Sequence, residues 1–189
     1  MKNWLFLLLC FFVLSCSQKN KESPLILIVT PFGDIEAELY PKKAPKTVAA
    51  FLSYVDSDVF KNSSFYRVLK DDEMPTEYNT GLIQGGLWPE KKNVPGIQHE
   101  STNRSGLSHT DGTLSLARTE AGTATTEFFI CIGDKPQLDS GKAGTGDGLG
   151  YAAFGKVVKG MDAVRKIQAE RSSGDHFSKK IPINNIRRL

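Results

Sequence analysis

The chain has 189 residues, with 24 lysines and arginines against 21 aspartates and glutamates, giving a formal net charge of +3 at pH 7. Charges of both signs are interspersed, with no basic stripe carrying interleaved aromatics, so the electrostatic footprint of a nucleic-acid binder is missing. No repeat of fixed period and no low-complexity run marks a solenoid or a disordered chain.

The chain begins with Lys2 followed by an apolar run from Trp4 to Leu14. That run is too short to cross a hydrocarbon core of about 30 Å as a helix and reads as a secretory signal over residues 1–15. It ends Val13-Leu14-Ser15-Cys16, which resembles the lipobox of bacterial lipoproteins. The resemblance implies cleavage before Cys16, lipidation of its thiol and acylation of the new amino terminus, which together hold a protein to a membrane without spanning it. The competing reading is an ordinary signal peptide with a coincidental cysteine.

Residues 16–24 continue with the polar stretch Ser17 to Pro24, which has nothing to bury and reads as a tether. Residues 25–189 suit one domain with a sizeable core. With Cys10 in the signal and Cys16 lipidated, Cys131 alone remains in that domain, so no internal disulfide is expected. Cys131 sits in an apolar run and reads as a small buried hydrophobe.

Leu25 to Thr30, the turn Pro31-Phe32-Gly33-Asp34 and the alternating Ile35 to Tyr40 read as a hairpin. Val48, Phe51, Leu52 and Val55 have the spacing of a helix burying one stripe, and a second helix is expected at Met161 to Ala169 with Met161, Val164 and Ile167 inward. Four stretches alternate apolar residues with one cation and a few amides or acids: Phe65-Tyr66-Arg67-Val68, Ile83-Gln84-Gly85-Gly86, Gly112 to Arg118, and Glu127-Phe128-Phe129-Ile130. They read as strands whose outward positions share a groove. Composition and period reach a β-rich barrel or sandwich with helices.

His99, His109 and His176 lack metal-binding spacing, and no metal is assigned. Four glycines at alternate positions from Gly144 to Gly150 lack the lysine and following helix of a phosphate cradle and read as a flexible loop.

The order and content of the four stretches, followed by Phe154-Gly155-Lys156-Val157-Val158-Lys159-Gly160-Met161-Asp162, resemble the cyclophilin family of peptidyl-prolyl isomerases over residues 25–189. The resemblance implies a mainly β fold, a closed eight-stranded antiparallel barrel capped by two α-helices. It also implies Arg67 as the catalytic cation and Gln84 as the glutamine that orients it and the substrate. Leu82, Phe129, Leu138 and Tyr151 match the proline pocket, while Ala117 and Arg118 stand where an alanine and an asparagine grip the peptide. Gln137 stands where cytosolic members carry tryptophan, Tyr151 where they carry histidine, and Glu127 where the family has glutamine.

Glu127 is therefore expected near Arg67, either holding it in orientation or drawing charge from the substrate. Arg118 has several expected outcomes: balancing Glu127, binding peptide carbonyls, favouring acidic flanking residues, or standing solvated. Gln84 lies 17 positions beyond Arg67, so an acidic insertion from Leu69 to Gly81 interrupts the motif, as a lid, a specificity loop or a decoration. His109 is expected to be structural.

The function implied is a lipid-anchored prolyl isomerase of a bacterial cell envelope, acting on proline-containing polypeptides as envelope or secreted proteins fold. It needs no cofactor and is expected to be a monomer. The alternative is a tethered proline-peptide-binding chaperone or scaffold with little catalysis.

Overall fold

A computed structural model describes residues 23–70, 81–89 and 94–189; the expected signal segment, Cys16 and most of the acidic insertion lie outside the described residues. The hairpin forms as read, from β1 (Leu25–Thr30) and β2 (Gly33–Leu39). On β2, Ile35, Ala37 and Leu39 are fully buried and alternate with Glu36 and Glu38, the pattern of a strand with one face in the core.

Helix α1 (Pro45–Asp56) buries Val48, Phe51, Leu52 and Val55, with Pro45 at its first turn, where no backbone donor is lost. Its N-terminus is capped from 53 residues away: the Glu100 carboxylate accepts from the N–H of Thr47 at 2.8 Å and of Lys46 at 3.2 Å. A buried carboxylate there satisfies orphan amides and complements the helix dipole.

The remaining elements are β3 (Ser63–Leu69), β4 (Gly81–Gly86), α2 (Thr102–Ser105), β5 (Thr113–Leu116), β6 (Phe128–Ile132), a 3₁₀ turn (Pro136–Leu138), β7 (Ala152–Lys159), α3 (Met161–Ala169), β8 (Ser172–Ser173), β9 (His176–Ile183) and β10 (Asn185–Arg188). All pairings are antiparallel, in the order β10-β1-β2-β7-β5-β6-β4-β3-β9-β8.

Two parts of the expected fold need correction. Among the described residues the sheet is a curled half-barrel of ten strands, not a closed barrel of eight: its order begins at β10 and ends at β8, with no ladder joining those ends. The extra strands come from short pieces with little sequence signal. β8 is a two-residue arm folded back on β9, and the carboxy-terminal run leaves β3 at Asn184, whose N–H donates to Val29 O at 2.9 Å, before pairing with β1 as β10. The described residues hold three α-helices, not two, because α2 is a single turn, too short for an apolar stripe to reveal.

The core lies between α1 and the sheet. Phe51 meets Phe154 at 4.9 Å, Phe60 at 5.0 Å and Phe128 at 5.6 Å between ring centroids. Burying each such ring contributes about 1.5–3 kcal/mol. Strand β6 is buried on both faces: Phe128, Ile130 and Ile132 enter this core, while Phe129 and Cys131 point to the opposite face and join a second cluster with Leu82 and Leu138. That second cluster floors the functional groove.

Candidate active site

Strict alternation would send Tyr66 and Arg67 to opposite faces of β3. The register shifts between Phe65 and Arg67 against both β4 and β9, and this irregularity lets both side chains reach one hydrogen-bond network. Arg67 pairs directly with Gln84, and its Nη1 donates to Gln84 Oε1 at 3.2 Å. Gln84 Nε2 donates to the Tyr66 hydroxyl at 2.6 Å, and that hydroxyl donates to Glu127 Oε2 at 2.7 Å.

Glu127 thus sits two side chains away from Arg67. Its other oxygen accepts from the Leu87 N–H at 2.9 Å and the Thr126 hydroxyl at 3.1 Å. Burial, then the Glu127 charge, pushes the Tyr66 phenol well above its ordinary range, so it remains a protonated donor. An acceptor-only carboxylate at one end therefore sets the direction of every hydrogen bond back to Arg67.

On its other side Arg67 Nε donates to Asp175 Oδ2 at 2.7 Å, and Asp175 Oδ1 lies 2.6 Å from His176 Nδ1. The Arg67 hydrogen bond, with a lesser one from His176, holds the Asp175 carboxyl below the usual carboxylate range. The His176 and Trp88 rings are 5.8 Å apart, and those of Trp88 and Tyr66 are 5.0 Å apart. Arg67, Gln84, Tyr66, Trp88, His176 and Asp175 therefore form a closed ring of contacts that runs through the cation.

The apolar wall faces a cavity of about 860 Å³. Phe129 and Tyr151 meet edge to face at 5.3 Å, and Leu82, Leu138, Leu69 and Ala117 pack around them. Behind Phe129 the fully buried His109 ring stacks at 5.9 Å. Its Nδ1 lies 2.6 Å from Asp139 Oδ1 and its Nε2 lies 2.9 Å from Ser115 Oγ. Burial lowers the His109 pKa, against the opposing pull of Asp139, so the neutral ring is favoured.

Arg118 is neither solvated nor paired with Glu127. Its side chain is 3% exposed; Nη1 and Nη2 donate to Asp147 at 2.8 and 2.9 Å, and Nε and Nη2 donate to Gly150 O at 3.1 and 2.7 Å. This bidentate fork ties the glycine-rich loop to the end of β5, immediately before Tyr151. The Arg118 hydrogen bond, followed by one from the Leu149 N–H, holds the Asp147 carboxyl well below its usual range.

All ten candidate side chains of the domain line the same cavity: Arg67, Leu82, Gln84, Ala117, Arg118, Glu127, Phe129, Gln137, Leu138 and Tyr151. Leu82 pairs with Leu69 across the hairpin, so the insertion leaves the strand register intact on both sides. Sequence reasoning missed Asp175 and Trp88, which touch the site through turns no motif marks, and the role of Tyr66, which alternation hides. Among the described residues no group of three or more His, Cys, Asp or Glu side chains is placed to share a metal, and no helix is long and apolar enough to cross a membrane.

A curled antiparallel sheet with a fixed cation on one side of an apolar groove defines a protein that can hold an extended peptide around an apolar residue. Comparison with known proteins gives the family. The model for "Cyclophilin type peptidyl-prolyl cis-trans isomerase/CLD" matches residues 25–188. A peptidyl-prolyl cis-trans isomerase of Acinetobacter baylyi is 37% identical over 158 residues, covering 81% of this chain and 76% of that one. Isomerase B of Escherichia coli K12 is 35% identical over 163 residues, covering 83% and 92%. A crystal structure of a Cryptosporidium parvum cyclophilin-type isomerase matches with a TM-score of 0.71 at 24% identity, covering 88% of this chain and 98% of that one. The chain belongs to the cyclophilin-type peptidyl-prolyl cis-trans isomerase family and is an enzyme of that class.

Proposed function

We propose that Arg67 is the catalytic group of this isomerase and that Phe129, Leu82, Leu138 and Tyr151 seat the proline ring. The observation that carries this is the orientation of Arg67. Nε and Nη1 are held by Asp175 and Gln84, Nη2 has no partner among the described residues, and the side chain borders the apolar cavity.

Rotation about an X-Pro bond faces a barrier of roughly 18–20 kcal/mol because the C–N bond has partial double-bond character. In the twisted state the prolyl nitrogen regains its lone pair, and a guanidinium donor there stabilises that state more than the planar amide. Each 1.36 kcal/mol of that preference gives about tenfold in rate. No covalent step or proton transfer is involved. Gln84 and Ala117 would align the peptide backbone, Gln137 would border the pocket, and Arg118 and Glu127 would act through Tyr151 and Tyr66.

The substrates are exposed X-Pro bonds of envelope or secreted polypeptides, and the protein acts from a bacterial membrane to which lipid on Cys16 ties it. Supporting this are the Lys2 and apolar-run leader, the Val13-Leu14-Ser15-Cys16 motif and the polar stretch to Pro24.

The test is cis/trans exchange of a proline peptide by NMR, with wild type and Arg67→Ala. Acceleration largely lost in the variant supports the assignment, and equal rates overturn it. Peptide shifts without acceleration would favour the tethered binding module. For the anchor, Cys16→Ser should release the protein from the membrane fraction; retention through acyl chains would overturn the lipidation site.

A further inference from the structure

Asp175 lies in the two-residue turn between β8 and β9, where Gly174 takes a φ of 56° that side chains rarely adopt. The turn is stitched to the strand that carries Arg67: Asp175 O accepts from the Val68 N–H at 2.9 Å, and Arg67 pairs with His176. The Asp175 backbone is therefore fixed beside β3, and one short side chain spans the remaining distance to Arg67 Nε at 2.7 Å. Its second oxygen is taken by His176, which leaves the carboxylate little rotational freedom.

We infer that Asp175 is a positioning residue for catalysis: its carboxylate, delivered by the β8–β9 turn, sets the angle at which the Arg67 guanidinium enters the groove. This rests on the reading of Arg67 as the catalytic cation. A free arginine side chain samples many rotamers, and a planar fork acts on one nitrogen only when its plane is fixed. Asp175 and Gln84 hold two of the three guanidinium nitrogens, Nε and Nη1, which fixes the plane in which Nη2 lies. Electrostatic complementarity alone would disfavour a carboxylate here, since it offsets the charge that stabilises the twisted amide. Its presence at 2.7 Å means orientation is the larger gain.

The experiment is a double-mutant cycle with Asp175→Ala and Arg67→Ala in the full chain, reading saturated exchange rate and peptide Kd separately by NMR. Asp175→Ala should lower the saturated rate about threefold to fivefold, the range open to a pair with side chains 36% and 41% exposed. Peptide Kd should stay unchanged, with no further loss when Arg67 is already alanine. Asp175→Asn, which keeps an acceptor in the same place, should recover most of the rate. The Arg67 Nε–Hε cross-peak should shift and exchange faster with water in Asp175→Ala.

An unchanged or faster rate in Asp175→Ala, or an equal loss on the Arg67→Ala background, overturns the inference. If Arg67→Ala itself keeps the full rate, the catalytic reading of Arg67 fails instead, and the Nε–Hε signal still decides whether Asp175 orients it.

Discussion

Arg67 and Gln84 are 17 residues apart in the chain and directly opposite each other on β3 and β4, joined by an Nη1 to Oε1 hydrogen bond of 3.2 Å. Antiparallel pairing makes the separation irrelevant: residues added between Leu69 and Gly81 lengthen the connection without moving the pair.

Tyr66→Phe removes the hydroxyl that links Gln84 to Glu127. Hydrogen bonds to charged groups contribute about 1.5–3 kcal/mol, and part of that should be lost from stability in urea unfolding. The exchange rate should fall as well, because Gln84 no longer has a fixed partner behind it. Unchanged urea midpoint and rate would show that the chain to Glu127 contributes nothing.

Gly86 has a φ of 147°, and a Cβ there would stand 2.5 Å from Glu127 Oε2. Gly86→Ala should therefore destabilise by about 1–3 kcal/mol through backbone strain and displacement of the carboxylate. Adding Glu127→Ser should recover the part due to the clash and leave the part due to φ. Full additivity of the two losses would contradict the close approach.

His109 makes stability depend on pH. Its folded pKa lies below the ordinary 6.5, with burial the first cause. As pH falls through about 6.5 the unfolded chain takes up a proton that the folded state resists, so unfolding becomes easier; above that value the contribution is fully present. Thermal scans between about pH 8 and pH 5 should show Tm falling towards acid in wild type and falling less in His109→Gln. Parallel curves would remove His109 from the account.

Arg118→Ala leaves buried Gly150 O without two donors and frees the loop ahead of Tyr151. A loss of about 1–3 kcal/mol in stability is expected, together with a weaker peptide Kd. Arg118→Lys should not restore either, because an ammonium cannot bind Asp147 and Gly150 O as a planar fork. Wild-type Tm in the lysine variant would mean charge alone suffices.

The β1–β2 hairpin, α1 and α3 were legible because each is long enough for its apolar period to repeat, and the burial of Ile35, Ala37 and Leu39 or of Val48, Phe51, Leu52 and Val55 follows that period. The ten candidate residues were legible through the family resemblance and not through period: only Arg67, Leu82, Gln84 and Phe129 stand on strands, and the other six lie in the turns and loops beside them. α2, β8 and the switch of partner at Asn184 were not legible, since a single turn, a two-residue arm and a bend leave too few residues to show a period.

By itself the sequence determined which strands would carry a cation, an amide and an aromatic, and the order of those motifs carried the resemblance to the family. Only the tertiary structure decided how the cation is held. Asp175 lies 108 residues from Arg67 and Glu100 lies 53 from Thr47, and a contact at such separation is made by the folded sheet. The shift at Tyr66 had to be seen as well, because one displaced residue turns an alternating pattern to the other face.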